Sequence, residues 1–277
     1  MIKKVFSDEN IEFFAAVPFE ACEILRSDII TRRGIDISRL KSAVIFLVPY
    51  IAGDGAKGNI SLYARSLDYH SFCDTLFSRI CTRLEESYGK RFLGFADKSP
   101  LSETYTAACA GLGVIGDNHL LINEKYGSFV FIGEILSEVS AEELGYIPHD
   151  LSPKGCLHCG KCKSACPMTE SGMDCLSAVT QKKGELTEEE KAYILKYGSA
   201  WGCDICQTSC PLVRRAIDSG VKTPIEFFYD RRINFLTSDK VNAMSDEEFV
   251  SRAFAWRGRK TILRNLALFE EQSGKNE

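Results

Sequence analysis

The sequence lacks a long apolar run, since no segment approaches the roughly 18–20 residues that a membrane-spanning helix requires. The N-terminus lacks the apolar core of a secretory signal peptide, because the basic start at residues 1–4 is soon followed by the polar residues 7–10. An excess of positive charge is missing too, because the formal net charge is −4. Contact with nucleic acid would therefore need a local basic patch. These absences predict a cytoplasmic protein with no membrane association.

Cysteine, by contrast, is abundant and unevenly distributed. The chain has 277 residues, enough for one large or two modest domains, and 12 of them are cysteines. Cytoplasmic thiols are kept reduced, so this number indicates metal ligation rather than disulfides. Four cysteines are scattered without ligand spacing and are interpreted as small buried hydrophobic residues, namely Cys22, Cys73, Cys81 and Cys109. The other eight lie between positions 156 and 210.

The first 150 residues have the pattern of an α/β domain. Apolar, β-branched or aromatic runs predict four strands, at Ile11–Val17, Ala43–Val48, Arg91–Ala96 and Ser128–Val139. Between the second and third strands, apolar residues at four-residue steps predict an amphipathic helix from Leu67 to Tyr88, with Gly89 as its C-cap. Gly111, Gly113 and Gly116 spell G-x-G-x-x-G, but they follow a predicted helix rather than a strand. Close backbone packing is therefore favoured over nucleotide binding.

Two further helices are predicted from capping boxes. Thr187 and Glu190 should open a helix that ends at Gly198. Ser245 and Glu248 should open a C-terminal helical part that continues through Trp256 and Ile262 to Phe269.

The cysteine-rich segment carries the strongest chemical signal. It contains the bacterial ferredoxin pattern C-x2-C-x2-C-x3-C-P, formed by Cys156, Cys159, Cys162, Cys166 and Pro167. A second run, C-x2-C-x3-C-P, is preceded by one isolated cysteine, and its four thiols are Cys175, Cys203, Cys206 and Cys210. Eight thiolates divide into two sets of four and predict two 4Fe–4S clusters. In this pattern the last cysteine of a run points to the other cluster.

The predicted ligand sets are therefore crossed. One cluster is assigned to Cys156, Cys159, Cys162 and Cys210. The other is assigned to Cys166, Cys175, Cys203 and Cys206. Two zinc sites are the alternative, although zinc motifs usually place their cysteines in separated pairs. The C-x3-C-x2-C motif of radical S-adenosylmethionine enzymes is excluded, because neither run continues with that spacing.

Two 4Fe–4S clusters pass electrons one at a time, and the polypeptide before Cys156 is too large for a ferredoxin alone. Two classes of function follow. The chain is either a reductase whose N-terminal domain holds another cofactor, or an electron-transfer module that serves a catalytic partner.

Several segments resemble the epoxyqueuosine reductase family. Residues 63–70 are similar to its Y-A-x-G-R-D-Y-H motif, with Tyr63, Arg65 and His70 among the matches. Residues 97–116 resemble its D-x-x-P-x-x-E and A-G-L-G-W-I-G blocks at the same thirteen-residue step from Asp97 to Ala110. Residues 126–135, which include Ser128, and the whole cysteine pattern are also similar to the family. The resemblance continues into residues 248–265 and so covers most of the chain.

This resemblance implies a base-off cobalamin and a reduction of the epoxide of epoxyqueuosine in tRNA to the alkene, with chemistry related to corrinoid reductive dehalogenases. It implies Asp97 as the proton donor, provided that burial raises the pKa of its carboxyl group. The implied cobalamin-binding residues are Tyr63, Arg65, His70, Gly111, Gly113 and Ser128. The expected fold is an α/β (α+β) cobalamin-binding domain at 1–150, a ferredoxin-like domain with two 4Fe–4S clusters at 151–215, and a helical segment at 216–277.

The chain departs from the family at several positions. The family's Trp and Lys in G-W-I-G-K are Val114 and Asp117, and the Gly-Arg of its first motif is replaced by residues 66–67. The sequence resembles a short form without the C-terminal helical-repeat tail. The basic group Arg257, Arg259, Lys260 and Arg264 is the only obvious anchor for tRNA, and a solvated helix face is favoured there.

These departures leave the substrate and the partners open. The expected partner is an external one-electron donor of the flavodoxin or ferredoxin type. The alternatives are a corrinoid reductase acting on a small molecule and a non-catalytic electron-transfer subunit.

Overall fold

The computed structural model describes residues 1–53, 57–169 and 175–274. Six strands are present in this part of the chain: β1 (Phe14–Pro18), β2 (Ser42–Pro49), β3 (Phe92–Phe95), β4 (Val114–Ile115), β5 (Leu121–Ile122) and β6 (Val130–Ser137).

The described residues also form twelve α-helices. The first four lie in the N-terminal half and are α1 (Ile2–Ser7), α2 (Ser27–Arg32), α3 (Tyr69–Tyr88) and α4 (Glu103–Cys109). The cysteine segment contains α5 (Lys161–Ala165), α6 (Leu176–Gln181), α7 (Glu188–Tyr197), α8 (Ile205–Thr208) and α9 (Pro211–Asp218). The C-terminal part contains α10 (Ser238–Ala243), α11 (Asp246–Val250) and α12 (Arg259–Gly274). Short 3-10 turns occupy Phe19–Ala21, Ile37–Arg39, Leu62–Ala64 and Glu226–Tyr229. Every helix in these ranges is too short or too polar to cross a lipid bilayer.

The N-terminal half is built on a four-stranded antiparallel sheet in the order β1-β2-β6-β3. Strand β2 is buried over its whole length because both faces of the sheet are covered. Val44, Phe46 and Val48 pack with the helix α3 side chains on one face. The alternating residues Ala43, Ile45 and Leu47 pack with α4 on the other face. The molecule is therefore of mixed α/β class, and all four strands predicted in this half are confirmed.

The helix predictions are confirmed in two cases and need correction in a third. Helix α3 ends at Gly89, whose φ of 61° is left-handed as a glycine C-cap requires. Helix α7 begins with the reciprocal capping box of Thr187 and Glu190. The C-terminal helical part is two helices instead of a continuous one, because α11 ends at Val250 and α12 begins at Arg259. The interruption accommodates Arg252, whose guanidinium is buried and donates to the carbonyl of Arg231.

The cysteine segment is attached to the N-terminal half through a small hairpin. Strands β4 and β5 pair with each other, and the backbone of Ile115 bridges to Gly155 immediately before the first cysteine run. The Cys156 amide donates to the Ile115 carbonyl at 3.0 Å. These contacts hold the polypeptide leading into Cys156 against the N-terminal half. Farther along the chain, helices α6, α7 and α12 pack together.

Glu134→Gln is expected to stabilise the fold at alkaline pH. Glu134 is fully buried in the central strand β6, and burial, opposed by a hydrogen bond from Ser99, raises the pKa of its carboxyl group to about 8. The unfolded chain loses this proton near the ordinary value of 4.5. Stability therefore falls as the pH rises between these values, since the folded state binds the extra proton. At about 1.4 kcal/mol per pKa unit, glutamine should gain on the order of 2–4 kcal/mol at alkaline pH.

Thermal unfolding followed by circular dichroism at about pH 5 and about pH 9 measures this gain. Glutamine keeps the oxygen that accepts from Ser99, so the variant should equal the wild type at the acid pH. Glu86→Gln, at an exposed position of α3, is the matched control and should change neither value. A pH-independent effect of Glu134→Gln would contradict the assignment.

Candidate functional site

Asp97 follows strand β3 at one end of the sheet. Its φ is 59°, a left-handed conformation that aspartate and asparagine adopt more readily than most residues. The Asp97 amide donates to Glu103 Oε1 at 2.9 Å, which ties this loop to the first turn of α4. The side chain is 46% exposed. The fold therefore presents the Asp97 carboxylate to solvent on a fixed backbone.

His70 lies in the first turn of α3 and faces Asp97. Asp68 is the N-cap of this helix: it accepts from the His70 amide and also lies 2.8 Å from His70 Nδ1. The other ring nitrogen, Nε2, is 3.2 Å from Asp97 Oδ2. The hydrogen bonds to Asp68 and Asp97 outweigh partial burial and raise the pKa of His70 to about 10. His70 is therefore an imidazolium at neutral pH.

Tyr69 completes this group from the buried side. Its hydroxyl donates to Asp97, and its ring stacks on Phe131 with a centroid distance of 3.8 Å. Burial and the Asp97 charge both raise the pKa of Tyr69, so the phenol stays neutral and acts as a donor.

The expectation that burial leaves the pKa of Asp97 raised is wrong. Burial does push that pKa upward, but the hydrogen bonds from His70 and Tyr69 and the positive charge of His70 outweigh it and leave the pKa below its usual value. Asp97 is therefore a carboxylate. It shares the hydrogen-bond donor His70 with Asp68. The neighbouring carboxyl with a raised pKa is Glu103, which burial and the Asp97 charge shift to about 7.

The predicted cofactor-binding residues fall into two groups. Tyr63 lies close enough to Asp97 for that charge to raise its pKa, after the larger effect of burial. Its hydroxyl accepts from Trp201 Nε1 at 3.0 Å. Arg65 is buried and its Nε donates to the Ile60 carbonyl, while Ser128 Oγ donates to Gln207 Oε1 at 2.9 Å. Tyr63, Arg65 and Ser128 thus lie beside the second cysteine run, and Tyr63 also lies near Asp97.

Gly111 and Gly113 lie elsewhere, in a cleft of about 410 Å³ that also contains His149, Lys154 and Arg215. Gly111 has a φ of 74° at the end of α4. A Cβ at Gly113 would lie 2.6 Å from the Ile122 carbonyl oxygen. The interpretation of this glycine pattern as close backbone packing is confirmed at Gly113.

Sequence reasoning did not single out Asp68, Tyr69 or Glu103 as functional residues. The local signal for the first two was an N-cap aspartate two positions before a histidine at a helix start. Glu103 is the glutamate of the D-x-x-P-x-x-E block, but its raised pKa had no local signal, because only the fold buries it behind the Asp97 loop.

The first thiol group is gathered around one small cavity. Its lining includes four cysteines that are distant in sequence, namely Cys156, Cys159, Cys162 and Cys210. Asp117 and Asn118 contribute to the same cavity from the β4–β5 turn. His158 Nδ1 lies 2.8 Å from Asp117 Oδ1, and both residues place ligand atoms within 4.8 Å of the Cys156 thiol. This mixed trio uses Cys156 and is therefore part of the same site.

The second thiol group centres on Cys203 and Cys206 of the second cysteine run. Burial raises the pKa of the Cys203 thiol to about 12, with further effects from Cys175 and Cys206. The pKa of Cys206 is raised by burial and by Cys175 and Cys166 as well. Cys162 adds to the effect on Cys206 too, so Cys206 lies near Cys166, Cys175 and one thiol of the first group, while Cys203 lies near Cys175 and Cys206.

Asp204 connects the second thiol group to the N-terminal half. Its carboxylate accepts from Ser61 Oγ at 2.5 Å and from the Leu62 amide at 2.8 Å. Gln207, on helix α8, donates to Asp204 and accepts from Ser128. These contacts fix the second cysteine run against the Tyr63 segment.

Two arginines of the basic group near the C-terminus bond to carbonyl groups of the fold. The Arg259 guanidinium donates to the carbonyls of Val241, Met244 and Ser245, and Arg264 donates to the carbonyls of Lys182 and Gly184. These contacts favour a structural role for the two arginines.

Comparison with known proteins gives a consistent result, although no protein-family model matches the chain. The epoxyqueuosine reductase of Gloeobacter violaceus is 32% identical over 225 residues, which are 76% of this chain and 68% of that protein. The Escherichia coli epoxyqueuosine reductase is 29% identical over 225 residues, which are 76% of this chain and 56% of that protein. The chain thus spans between just over half and about two thirds of the length of these curated relatives.

Solved structures share the fold. Epoxyqueuosine reductase from Streptococcus thermophilus matches with a TM-score of 0.76 at 23% identity, covering 96% of this chain and 79% of that one. An epoxyqueuosine reductase with an epoxyqueuosine-modified tRNA-Tyr stem loop matches with a TM-score of 0.72 at 21% identity and the same coverage. The Bacillus subtilis enzyme, with its aspartate catalytic loop swung out of the active site, matches with a TM-score of 0.69 at 21% identity and the same coverage. The sequence match to the Gloeobacter protein extends this likeness beyond the fold, and the chain belongs to the epoxyqueuosine reductase family.

Proposed function

We propose that this chain is a cobalamin-dependent iron–sulfur reductase that converts epoxyqueuosine in tRNA to queuosine. The observation that carries the proposal is the contact of Asp204, in the second cysteine run, with the segment that holds Tyr63, a residue that lies near Asp97. A cluster on these cysteines would deliver electrons beside Tyr63. The reaction needs them close to Asp97, the proposed proton donor. The name of the family and the tRNA stem loop bound to one of its solved members support the same substrate.

The cysteines fit two 4Fe–4S clusters. The first set of four thiols lines one cavity, and in the second set Cys175 lies near Cys203 and Cys206 while Cys166 lies near Cys206. Four thiolates are the usual ligand set of such a cluster. When bound, the clusters supply single electrons in series. We accordingly assign residues 151–215 to a double-cluster domain that follows an α/β domain at 1–150 and precedes a helical segment at 216–277.

The residues around Asp97 fit a large, flat cofactor. Phe131 near the start of the central strand β6 is only half-buried and stacks on Tyr69, which leaves apolar surface beside the Asp97 group. Both ring nitrogens of His70 face carboxylates, so His70 positions Asp97 rather than ligating a metal. Cobalamin at this surface would supply a strongly reducing cobalt centre. Tyr63 and His70 would be the predicted contacts nearest to it, whereas Gly111 and Gly113 face a different cleft.

Reduction of an epoxide to an alkene takes two electrons and two protons, and the oxygen leaves as water. Asp97 is placed to deliver a proton to that oxygen, and the imidazolium of His70 is placed to supply it across 3.2 Å. A substrate that covers the half-exposed Asp97 side chain would remove its water and raise its pKa. The proton could then move from His70 to Asp97. The resting ion pair is therefore compatible with a general acid.

The deciding experiment is formation of queuosine in a bacterial strain that lacks its own epoxyqueuosine reductase. Expression of this chain should restore queuosine in the tRNA, measured by mass spectrometry of nucleosides. No restoration, although the purified protein carries both clusters and cobalamin, would contradict the tRNA substrate.

His70→Asn is expected to shift the alkaline limb of the pH–rate profile to lower pH. The wild type keeps the His70 proton up to about 10, so turnover should persist well above neutrality. Without the imidazolium, the nearby carboxyl group with a raised pKa is Glu103, at about 7. Turnover of the variant should therefore fall as the pH rises through that value. The measurement is kcat as a function of pH with the purified, loaded enzyme.

His119→Asn is the matched control for this profile, because His119 is exposed and has a left-handed backbone that asparagine tolerates. It should leave the profile unchanged. An unchanged alkaline limb in His70→Asn would show that the imidazolium does not supply the proton.

A further inference from the structure

A group of exposed cations lies beside the first thiol group. We name it the basic rim, and it consists of Lys154, Lys161, Lys163, Arg214 and Arg215. Lys154 precedes the first cysteine run, Lys161 and Lys163 lie within it, and the two arginines lie on helix α9, which begins directly after Cys210. The chain as a whole has a net charge of −4, so this concentration of positive charge runs against its overall balance.

Three adjoining depressions place the rim beside the thiol cavity. Pro211 lines the cavity and also a surface cleft that contains Lys161, Arg214 and Arg215. Leu212 lines the cavity and also the cleft that contains Lys154 and Arg215. Cations therefore border the thiol cavity on two sides, with Arg215 common to both clefts.

An apolar residue lies at the mouth of the cavity, close to the protein surface. Leu157 lines the cavity and is 61% exposed, and the neighbouring Cys159 is exposed as well. An exposed apolar residue beside a group of cations has the composition of a transient protein interface, with an apolar centre and a polar rim. Electrons entering here would cross only the surface loop to reach the first cluster.

Acidic groups only partly offset the rim. Asp117 is paired with His158, and Asp218 lies 3.8 Å from Arg214 in an exposed pair of the kind that is worth little. Glu124 and Asp150 line the cleft on the Lys154 side. The positive charge is thus densest on the side of Lys161, Arg214 and Arg215.

We propose that the basic rim is the docking surface for an acidic one-electron carrier protein. The carrier reduces the first cluster across the surface loop that contains Leu157. The proposal rests on the proposed function for the identity of the cluster. In each encounter the carrier loses one electron and the cluster gains it, so two encounters supply one epoxide reduction. Complementary charge would steer the carrier to this face and raise its association rate.

The test is stopped-flow reduction of the loaded enzyme by a reduced flavodoxin of net negative charge, followed by bleaching of the cluster absorbance. The double variant Lys161→Glu/Arg214→Glu should lower the second-order rate by about 10–100-fold at low ionic strength. The difference should shrink as salt is added, because exposed charges are screened. The neutral double variant Lys161→Gln/Arg214→Gln should show an intermediate loss.

The matched control is Lys41→Glu/Lys90→Glu, which makes the same change of net charge at exposed positions at the opposite end of the sheet from Asp97. It should keep the wild-type rate, and dithionite, a small reductant, should reduce all variants equally. Equal rates for the two charge-reversed variants would overturn the proposal. So would a wild-type enzyme that dithionite reduces and flavodoxin does not.

The affinity of a tRNA stem loop is measured alongside. A loss of tRNA binding in Lys161→Glu/Arg214→Glu, without loss of the flavodoxin rate, would assign the basic rim to nucleic acid and overturn the proposal. Charge-dependent reduction by flavodoxin in an enzyme that forms no queuosine would support the docking surface and contradict the proposed function instead.

Discussion

Replacement of Asp97 by asparagine is expected to lower turnover by about 10²–10⁴-fold, the usual cost of losing a general acid. Asparagine has the same shape and tolerates the left-handed backbone at φ 59°, so the loop should keep its conformation. The backbone amide of residue 97 would still donate to Glu103. What the change removes is the group that we propose carries a proton from His70 to the substrate oxygen.

Steady-state turnover of the loaded enzyme measures this loss, with iron, sulfide and cobalamin content determined on the same preparation. Cofactor content should equal that of the wild type. Asp28→Asn, in an exposed carboxylate on helix α2, is the matched control and should keep full activity. Turnover of Asp97→Asn within a few-fold of the wild type would move the acid to another residue, with Glu103 the nearest candidate. Loss of cobalamin from the variant would show that Asp97 holds the cofactor.

Local patterns were sufficient for the elements that surround this site. Strand β2 could be predicted because it is buried on both faces and is therefore continuously apolar. Helix α3 could be predicted because its buried residues repeat at helical spacing and a glycine ends it. The start of helix α7 could be predicted because the capping box at Thr187 involves residues only three positions apart.

The protonation state of Asp97 could not be predicted from the sequence. It is decided by Tyr69 and His70, which lie 28 and 27 positions earlier in the chain and reach Asp97 only because α3 packs beside β3. The sequence suggested burial as the dominant effect on the carboxyl group, and burial does act in that direction. The fold adds two hydrogen-bond donors and a positive charge, and their sum exceeds the desolvation.

The roles of the basic residues could not be predicted from the sequence either. Arg259 and Arg264 form a plausible phosphate site in the sequence, but their guanidinium groups are bonded to carbonyl oxygens of neighbouring turns. Lys161 and Arg214 are 53 positions apart and attract no attention as a pattern. The fold brings them to one cleft because the two cysteine runs enclose the same cavity.

Replacement of Cys210 by alanine is expected to remove the cluster of the first cysteine run, although Cys210 belongs to the second. The thiol of Cys210 lines the cavity formed by Cys156, Cys159 and Cys162, and α9 begins at the next residue. A cluster with three thiolates and no fourth protein ligand is labile, so about half of the iron and sulfide, roughly four of each, should be lost. The remaining cluster should keep its own signal.

Electron paramagnetic resonance of the reduced protein, together with iron and sulfide analysis, identifies which cluster is lost. The signal missing from Cys210→Ala should be the one missing from Cys159→Ala, and it should persist in Cys203→Ala. Cys22→Ala, in the sheet domain, is the matched control and should retain both signals. If Cys210→Ala and Cys203→Ala lose the same signal, each run holds its own cluster and the crossed assignment fails. Stoichiometric zinc without sulfide in the wild type would replace both clusters by zinc sites and would remove the electron path on which the proposed reduction depends.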